Sequence, residues 1–173
     1  LSLTAQHGDL VELIGRNGTG KSTLLRTLTG IIPPLGGRIM LEGNPLNSIS
    51  LSQLPRIVSF VSTEPVAIHN IKVRDVVSLG RFPYTNWIGT LSQTDEEAVQ
   101  SAMEATGLTG LAGRSIDSIS DGERQRTLIA RSLAQDTGLL VMDEPTAFLD
   151  LPSRYGIVSL LRKLTREKDK CVI

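Results

Sequence analysis

"GRNGTGKST", residues 15 to 23, lies between the apolar run "LVELI" at 10 to 14 and "LLRTLTG" at 24 to 30, whose leucines recur at helical spacing. Strand, loop and helix are the expected elements. Gly15-x-x-x-x-Gly20-Lys21-Ser22 has the spacing of a loop that cradles phosphate. Its glycines let the backbone curl until successive N–H groups, roughly those of residues 18 to 23, point into one concavity, where the helix start adds partial positive charge. Gly15, Asn17, Gly18, Thr19, Gly20, Lys21, Ser22 and Thr23 are the candidate nucleotide-binding residues. Lys21 is placed to reach β- and γ-phosphates, and the Ser22 hydroxyl to ligate Mg²⁺. The bland alternative is a glycine-rich turn before a helix that happens to contain lysine.

Further along, "LLVMDEP" at 139 to 145 sets four apolar residues before two acids. In open α/β sheets ligands bind where strands end. Asp143 is the candidate to hold Mg²⁺ through water, and Glu144 to polarise an attacking water as general base. Alone, two such acids more often mark a turn; downstream of a phosphate loop they read as a pair with a task.

The remaining pattern is α/β. "RIMLEG" at 38 to 43 alternates like a strand and leads into a Gly-Asn turn, and "LSQLPRIVSFV" at 51 to 61 supplies a short helix and a strand. From about 66 to 121 helical patterns take over, with Thr94 to Glu97 in the form of a capping box ahead of Ala98, Ala102, Ala105 and Leu108. After that come a helix, the apolar strand, a helix over roughly 152 to 168 and an incipient strand, "CVI". The alternation predicts a mostly parallel sheet. One domain over 1–173 is expected, with an α/β core at 1–65 and 122–173 and a helical subdomain at 66–121. Leu1 opens in mid-pattern and "CVI" stops as a strand begins, so the expectation is a domain cut at both ends.

Composition sets outer limits. Eighteen basic residues balance eighteen acidic ones, which removes the electrostatic case for a nucleic-acid surface. The single cysteine, Cys171, excludes an internal disulfide framework and fits a buried strand thiol in a reducing compartment. No apolar run approaches the ~20 residues of a membrane helix, so any membrane role runs through a partner.

"SISDGERQRTLIARSLAQ", 118 to 135, resembles the signature segment of ATP-binding cassette (ABC) proteins. Ile119-Ser120-Asp121-Gly122-Glu123 is similar to Leu-Ser-Gly-Gly-Gln, with Asp at the first glycine position and Glu at the glutamine position. Ser120 and Gly122 also open a helix whose free N–H groups would form a second anion site; the bland alternative is a solvated, well-capped helix start. "AFLD", 147 to 150, resembles the adjoining D-loop. The resemblance implies a P-loop ATPase core with a helical subdomain and ATP and Mg²⁺ as ligands. It also implies a head-to-tail homodimer, in which each ATP lies between one protomer's phosphate loop and the partner's signature, with Asp150 at the seam. The family's adenine-stacking aromatic precedes residue 1 and its switch histidine follows residue 173. His7 and His69 match neither and read as exposed or satisfied surface histidines. On this resemblance, residues 1–173 alone hydrolyse ATP weakly or not at all.

"LGRFPYTNWIG", 79 to 89, carries Phe82, Tyr84 and Trp87 and resembles a Gly-Arg-Tyr-Pro segment of ATPases serving importers of iron-siderophores, haem and cobalamin. That implies a subunit on the cytoplasmic face of a bacterial inner membrane, docked on a permease and served indirectly by a periplasmic or lipoprotein binding protein. An equal alternative for each aromatic is a place in the lobe's core. A soluble ABC ATPase acting on ribosomes or DNA is the competing function, and a small P-loop kinase a weaker one. At "IVSFVSTEP", 57 to 65, the family's Q-loop glutamine position falls on Thr63, with Glu64 beside it as a substitute oxygen donor; the alternative is that the two merely form the turn before Pro65.

Overall fold

The computed structural model describes residues 2–62 and 69–173. Helix α1 (Lys21–Leu28) follows the glycine-rich loop. Strands β1 (Met40–Leu41) and β2 (Asn44–Pro45) form an antiparallel hairpin. Its turn residues are Glu42 at φ 49° and Gly43 at φ 78°, so the turn sits one residue before the expected Gly-Asn pair. Two positive φ angles in a row are what a tight two-residue hairpin requires. A 3₁₀ turn at Leu54–Arg56 leads into β3 (Val58–Val61).

Helical elements follow: α2 (Val73–Ser78), a 3₁₀ segment (Leu79–Tyr84), α3 (Gln93–Ala105) and α4 (Asp121–Ala134). Helix α3 starts two residues earlier than the Thr94–Glu97 pattern predicts, because the capping box is closed by Ser92 and Asp95. Asp95 is buried and also gripped by Arg81, 2.8 Å from its carboxylate, which anchors the helix start there. Its inner face is Val99, Ala102, Met103 and the following Leu108, with Ala98 and Ala105 only half-buried.

Strand β4 (Leu139–Met142), helix α5 (Leu151–Lys168) and β5 (Cys171–Val172) complete the fold. Parallel pairing in the order β3-β4-β5 puts β4 in the middle, with Val61 opposite Met142. The predicted strand at 10–14 is reduced to a parallel bridge between Leu10 and Val172 and the bond from Val11 N–H to the Val172 carbonyl. Cys171 is buried in β5 as expected, and burial pushes its thiol pKa up.

Alternation along β4 buries both sheet faces. Val141 joins Leu25, Leu41 and Val58 under α1, whereas Leu140 and Met142 pack against α4 and α5. A parallel sheet covered on both sides has no polar face, hence the unbroken "LLVM". Helix α4 is shared: Leu128 and Ile129 face the sheet, and Ala130 and Ala134 join the core of α2 and α3. The hydroxyls of Ser59, Ser132 and Thr137 bond to one another where α4 crosses β3, satisfying three otherwise buried polar groups.

Candidate nucleotide site

The loop adopts the conformation its glycines permit. Gly20, the N-cap of α1, has φ 90° and ψ 16°, and Gly18 has φ 79°, in the region side chains disfavour. A glycine N-cap brings no side chain to the helix start, and the first turn contains no acid. The N–H groups that open α1 are therefore left for a ligand. Lys21 folds back over the loop, its Nζ donating to the carbonyls of Gly15 at 2.9 Å and Arg16 at 3.2 Å. Thr19 Oγ1 donates to the Arg16 carbonyl at 2.8 Å and tightens the same turn.

The acidic strand end comes to meet it. Asp143 N–H bonds the Val61 carbonyl at 2.9 Å, which holds the residue just past β4 level with the end of β3. Ser22 Oγ, at the start of α1, donates to Asp143 Oδ1 at 3.0 Å. Glu144, exposed, stands at φ 47°, a region a non-glycine residue enters at a cost of roughly 1 kcal/mol. A cavity of about 230 Å³ is lined by Asn17, Gly18, Gly20, Lys21, Ser22, Thr23 and Glu144. Every lining residue belongs to the predicted set. Of that set, Gly15, Thr19 and Asp143 stand behind the wall, shaping the turn or holding Ser22.

Helix α4 begins with a capped start, in contrast to α1. Ser120 is its N-cap, but Glu123 closes a capping box: its carboxylate accepts from the Ser120 N–H and hydroxyl, each at 2.8 Å, and Ser120 Oγ accepts from Glu123 N–H at 3.3 Å. These bonds hold the Glu123 carboxyl below the usual carboxylate range. Asp121 is exposed and paired with Arg124. Gly122 is buried, and a Cβ there would meet Ser153 Oγ at 2.6 Å, so α4 and α5 abut at this point. Asp150 caps α5, accepting from Ser153 N–H at 3.2 Å. Thus 120–123 and 150–153 form one contiguous corner.

Thr63 and Glu64 lie outside the described residues. His7 and His69 are exposed; the His7 Nδ1–H donates to the Asp169 carbonyl at 2.9 Å and His69 pairs with Asp117. Of the three aromatics, Phe82 and Trp87 are exposed at 74% and 95%, so they supply no core. Tyr84 is half-buried beside two guanidiniums, those of Arg81 and Arg56. Arg81 itself was not singled out by the sequence, although "GR" stands inside the segment that was; its burial at 6% exposure is the missing sign.

The description of the ABC transporter family matches residues 1–147. The chain belongs to the ABC transporter family. Among relatives of this cassette, the achromobactin transport ATP-binding protein CbrD of Dickeya dadantii is 41% identical over 173 residues, spanning 100% of the chain and 64% of that protein. The ferric enterobactin transport ATP-binding protein FepC of Escherichia coli is 38% identical over 168 residues, 97% of the chain and 62% of that protein. A solved dimeric structure of the ATP-binding cassette MJ0796, in a post-hydrolysis state bound to ADP and Pi, has a TM-score of 0.81 at 26% identity and covers 98% of the chain and 75% of its own. The predicted P-loop α/β fold is therefore the fold of this cassette, which spans less than two thirds of the length of the two transport relatives.

Proposed function

We propose that this chain is the ATP-binding and ATP-hydrolysing cassette of a bacterial importer for iron chelates. The observation that carries the ATPase reading is the cavity in which an uncapped helix start and the Glu144 carboxylate face one space. Gly15, Asn17, Gly18, Thr19, Gly20 and Thr23 form the cradle, whose backbone N–H groups take the phosphates. Lys21 exchanges the Gly15 and Arg16 carbonyls for phosphate oxygens. Glu144 orients and deprotonates the attacking water. The protein's part is positioning and charge stabilisation, with little covalent chemistry.

Mg²⁺ fits the donor set. The Ser22 hydroxyl and the Asp143 carboxylate already converge, and both are hard oxygen donors suited to a cation that keeps water and phosphate ligands. Once bound, the ion would neutralise charge developing on the phosphates.

The MJ0796 cassette is dimeric, which supports a homodimer here; following the family resemblance it is head-to-tail, with Ser120, Asp121, Gly122, Glu123 and Asp150 presented to the partner's nucleotide. No helix among the described residues is long and apolar enough to cross a membrane, so docking on a permease at the cytoplasmic face is the membrane link, with a binding protein acting from the far side. In this reading 66–121 is the helical lobe that meets the permease, 1–65 and 122–173 are the ATPase core, and Thr63 or Glu64 senses the nucleotide between them. CbrD and FepC, ATP-binding proteins of achromobactin and ferric enterobactin transport, support an iron-chelate cargo.

The test is reconstitution of the full-length protein with its permease in liposomes. Hydrolysis of ATP should rise when binding protein loaded with a ferric siderophore is supplied. Turnover indifferent to any permease would point instead to a soluble cassette acting on ribosomes or DNA.

A further inference from the structure

We infer that Arg81 is a positioning residue that fastens the aromatic segment 79–84 to the C-terminal end of α4, so that displacement of Phe82 and Trp87 reaches the signature corner through that helix. The inference rests on the function proposed above.

Three residues of the segment converge on one helical turn. Arg81 Nη1–H donates to the Ala134 carbonyl at 2.7 Å, and the Tyr84 hydroxyl donates to the Gln135 carbonyl at 3.0 Å. Carbonyls at a helix C-terminus lack intrahelical partners, and a cation suits that end of the dipole. The segment is thus the C-terminal cap of α4, built from residues about fifty positions earlier in the chain. Gly80 makes the approach possible, since a Cβ there would lie 2.1 Å from the Arg131 carbonyl oxygen.

Arg81 is held from the other side as well. Its Nε–H donates to Asp95 Oδ1 at 2.8 Å, in an ion pair whose side chains are 7% and 6% exposed. The Tyr84 ring centroid lies 3.9 Å from its guanidinium. A buried ion pair adds little net stability over apolar residues of the same volume, so its distinctive contribution is to fix geometry. The planar fork of arginine serves Asp95 and Ala134 at set angles while stacking on a ring; a lysine ammonium cannot reproduce all three. A second tie runs to the core: Arg56 donates to the Pro83 carbonyl at 2.8 and 3.2 Å, and Gln135 Nε2 to the Pro55 carbonyl at 2.5 Å.

The same six-residue segment leaves Phe82 in solvent, with Trp87 beyond it. At the other end of α4, about 21 Å away by helical rise, stand Ser120 and Gly122. A rigid helix with the aromatic segment clamped at one end and the signature at the other connects the two surfaces.

The experiment uses the full-length protein with and without its permease in liposomes, comparing wild type, Arg81→Lys and Tyr84→Phe. Arg81→Lys should keep kcat and KM for ATP without permease close to wild type, and still copurify with the permease. It should lose about fivefold or more of the permease-dependent stimulation. Tyr84→Phe, which removes one hydroxyl, should lose about twofold in the same direction. If Arg81→Lys does not fold, Tyr84→Phe decides the matter alone. Full stimulation in the variants overturns the inference, as does a fall in permease-free and stimulated rates in step with thermal stability, which marks a merely structural role. A wild-type cassette that ignores its permease overturns the importer reading itself.

Discussion

Helices α1 and α4 both turn a positive dipole end outward, yet one starts bare and the other starts with a capping box. At α1 a glycine N-cap and an acid-free first turn leave the opening N–H groups to whatever enters the cavity. At α4 the Glu123 carboxylate already occupies the Ser120 donors, and Asp121 adds a second negative charge to the first turn. An anion can therefore be taken by α1 unaided. A phosphate approaching α4 must compete with the helix's own carboxylate, a competition that favours binding only when other donors arrive with it. This asymmetry suits a nucleotide that settles first on the phosphate loop and meets a signature second.

Four measurements on the full-length protein test that contrast. Glu144→Gln should lower the phosphate-release rate by about 10²–10⁴-fold while ATP still binds and the ATP-bound dimer accumulates in size-exclusion chromatography. Strict monomers would remove the second half of the contrast. Lys21→Ala should weaken ATP binding by roughly 10–100-fold in calorimetry, the loss expected for a charge-assisted hydrogen bond. Ser120→Ala, on the capped helix, should leave ATP binding by the monomer nearly unchanged; equal losses in the two variants would break the distinction. Gly122→Ala should destabilise the fold by about 1–3 kcal/mol in chemical denaturation, because its Cβ would lie 2.6 Å from Ser153 Oγ.

The smallest effect is on pH dependence. The Ser120 bonds hold the Glu123 carboxyl below the usual range in the folded state. A depressed folded pKa means that its stabilising contribution is full above the ordinary carboxylate range and is lost as pH falls through the folded value. Denaturation midpoints of wild type and Glu123→Gln should therefore diverge near neutrality and converge in acid. The difference is small because the carboxylate is near solvent.

What could be read in advance followed the range of the interactions. The phosphate cradle was legible because its donors are backbone groups whose direction is set by glycines a few residues apart. Ser22 and Asp143, 121 positions apart, were each readable as Mg²⁺ ligands, but the bond between them was not, because it depends on how the start of α1 sits against the end of β4. The start of α3 was misplaced because a local template cannot see Arg81 reaching Asp95 from another element. The capped start of α4 was present as Ser120-x-x-Glu123, the same kind of pattern as at Thr94, and the structure shows the reciprocal bonds that the pattern allows. The exposure of Phe82 and Trp87 could not be told from core aromatics, since both readings need the same residue types.

Helix α4 has one more consequence, for the thickness of the molecule. Between Thr127 and Ala134 it is claimed on two sides, with Leu128 and Ile129 against the sheet and Ala130 and Ala134 against the helical layer. Large residues on the first face and small ones on the second make the helix a spacer gauge, setting how near the outer helices stand to the strands. Gly80 presses against it with no room for even a methyl group. A bulkier residue at Ala130 or Ala134 would act as a wedge, driving the outer layer off the sheet while leaving the phosphate cradle as it was.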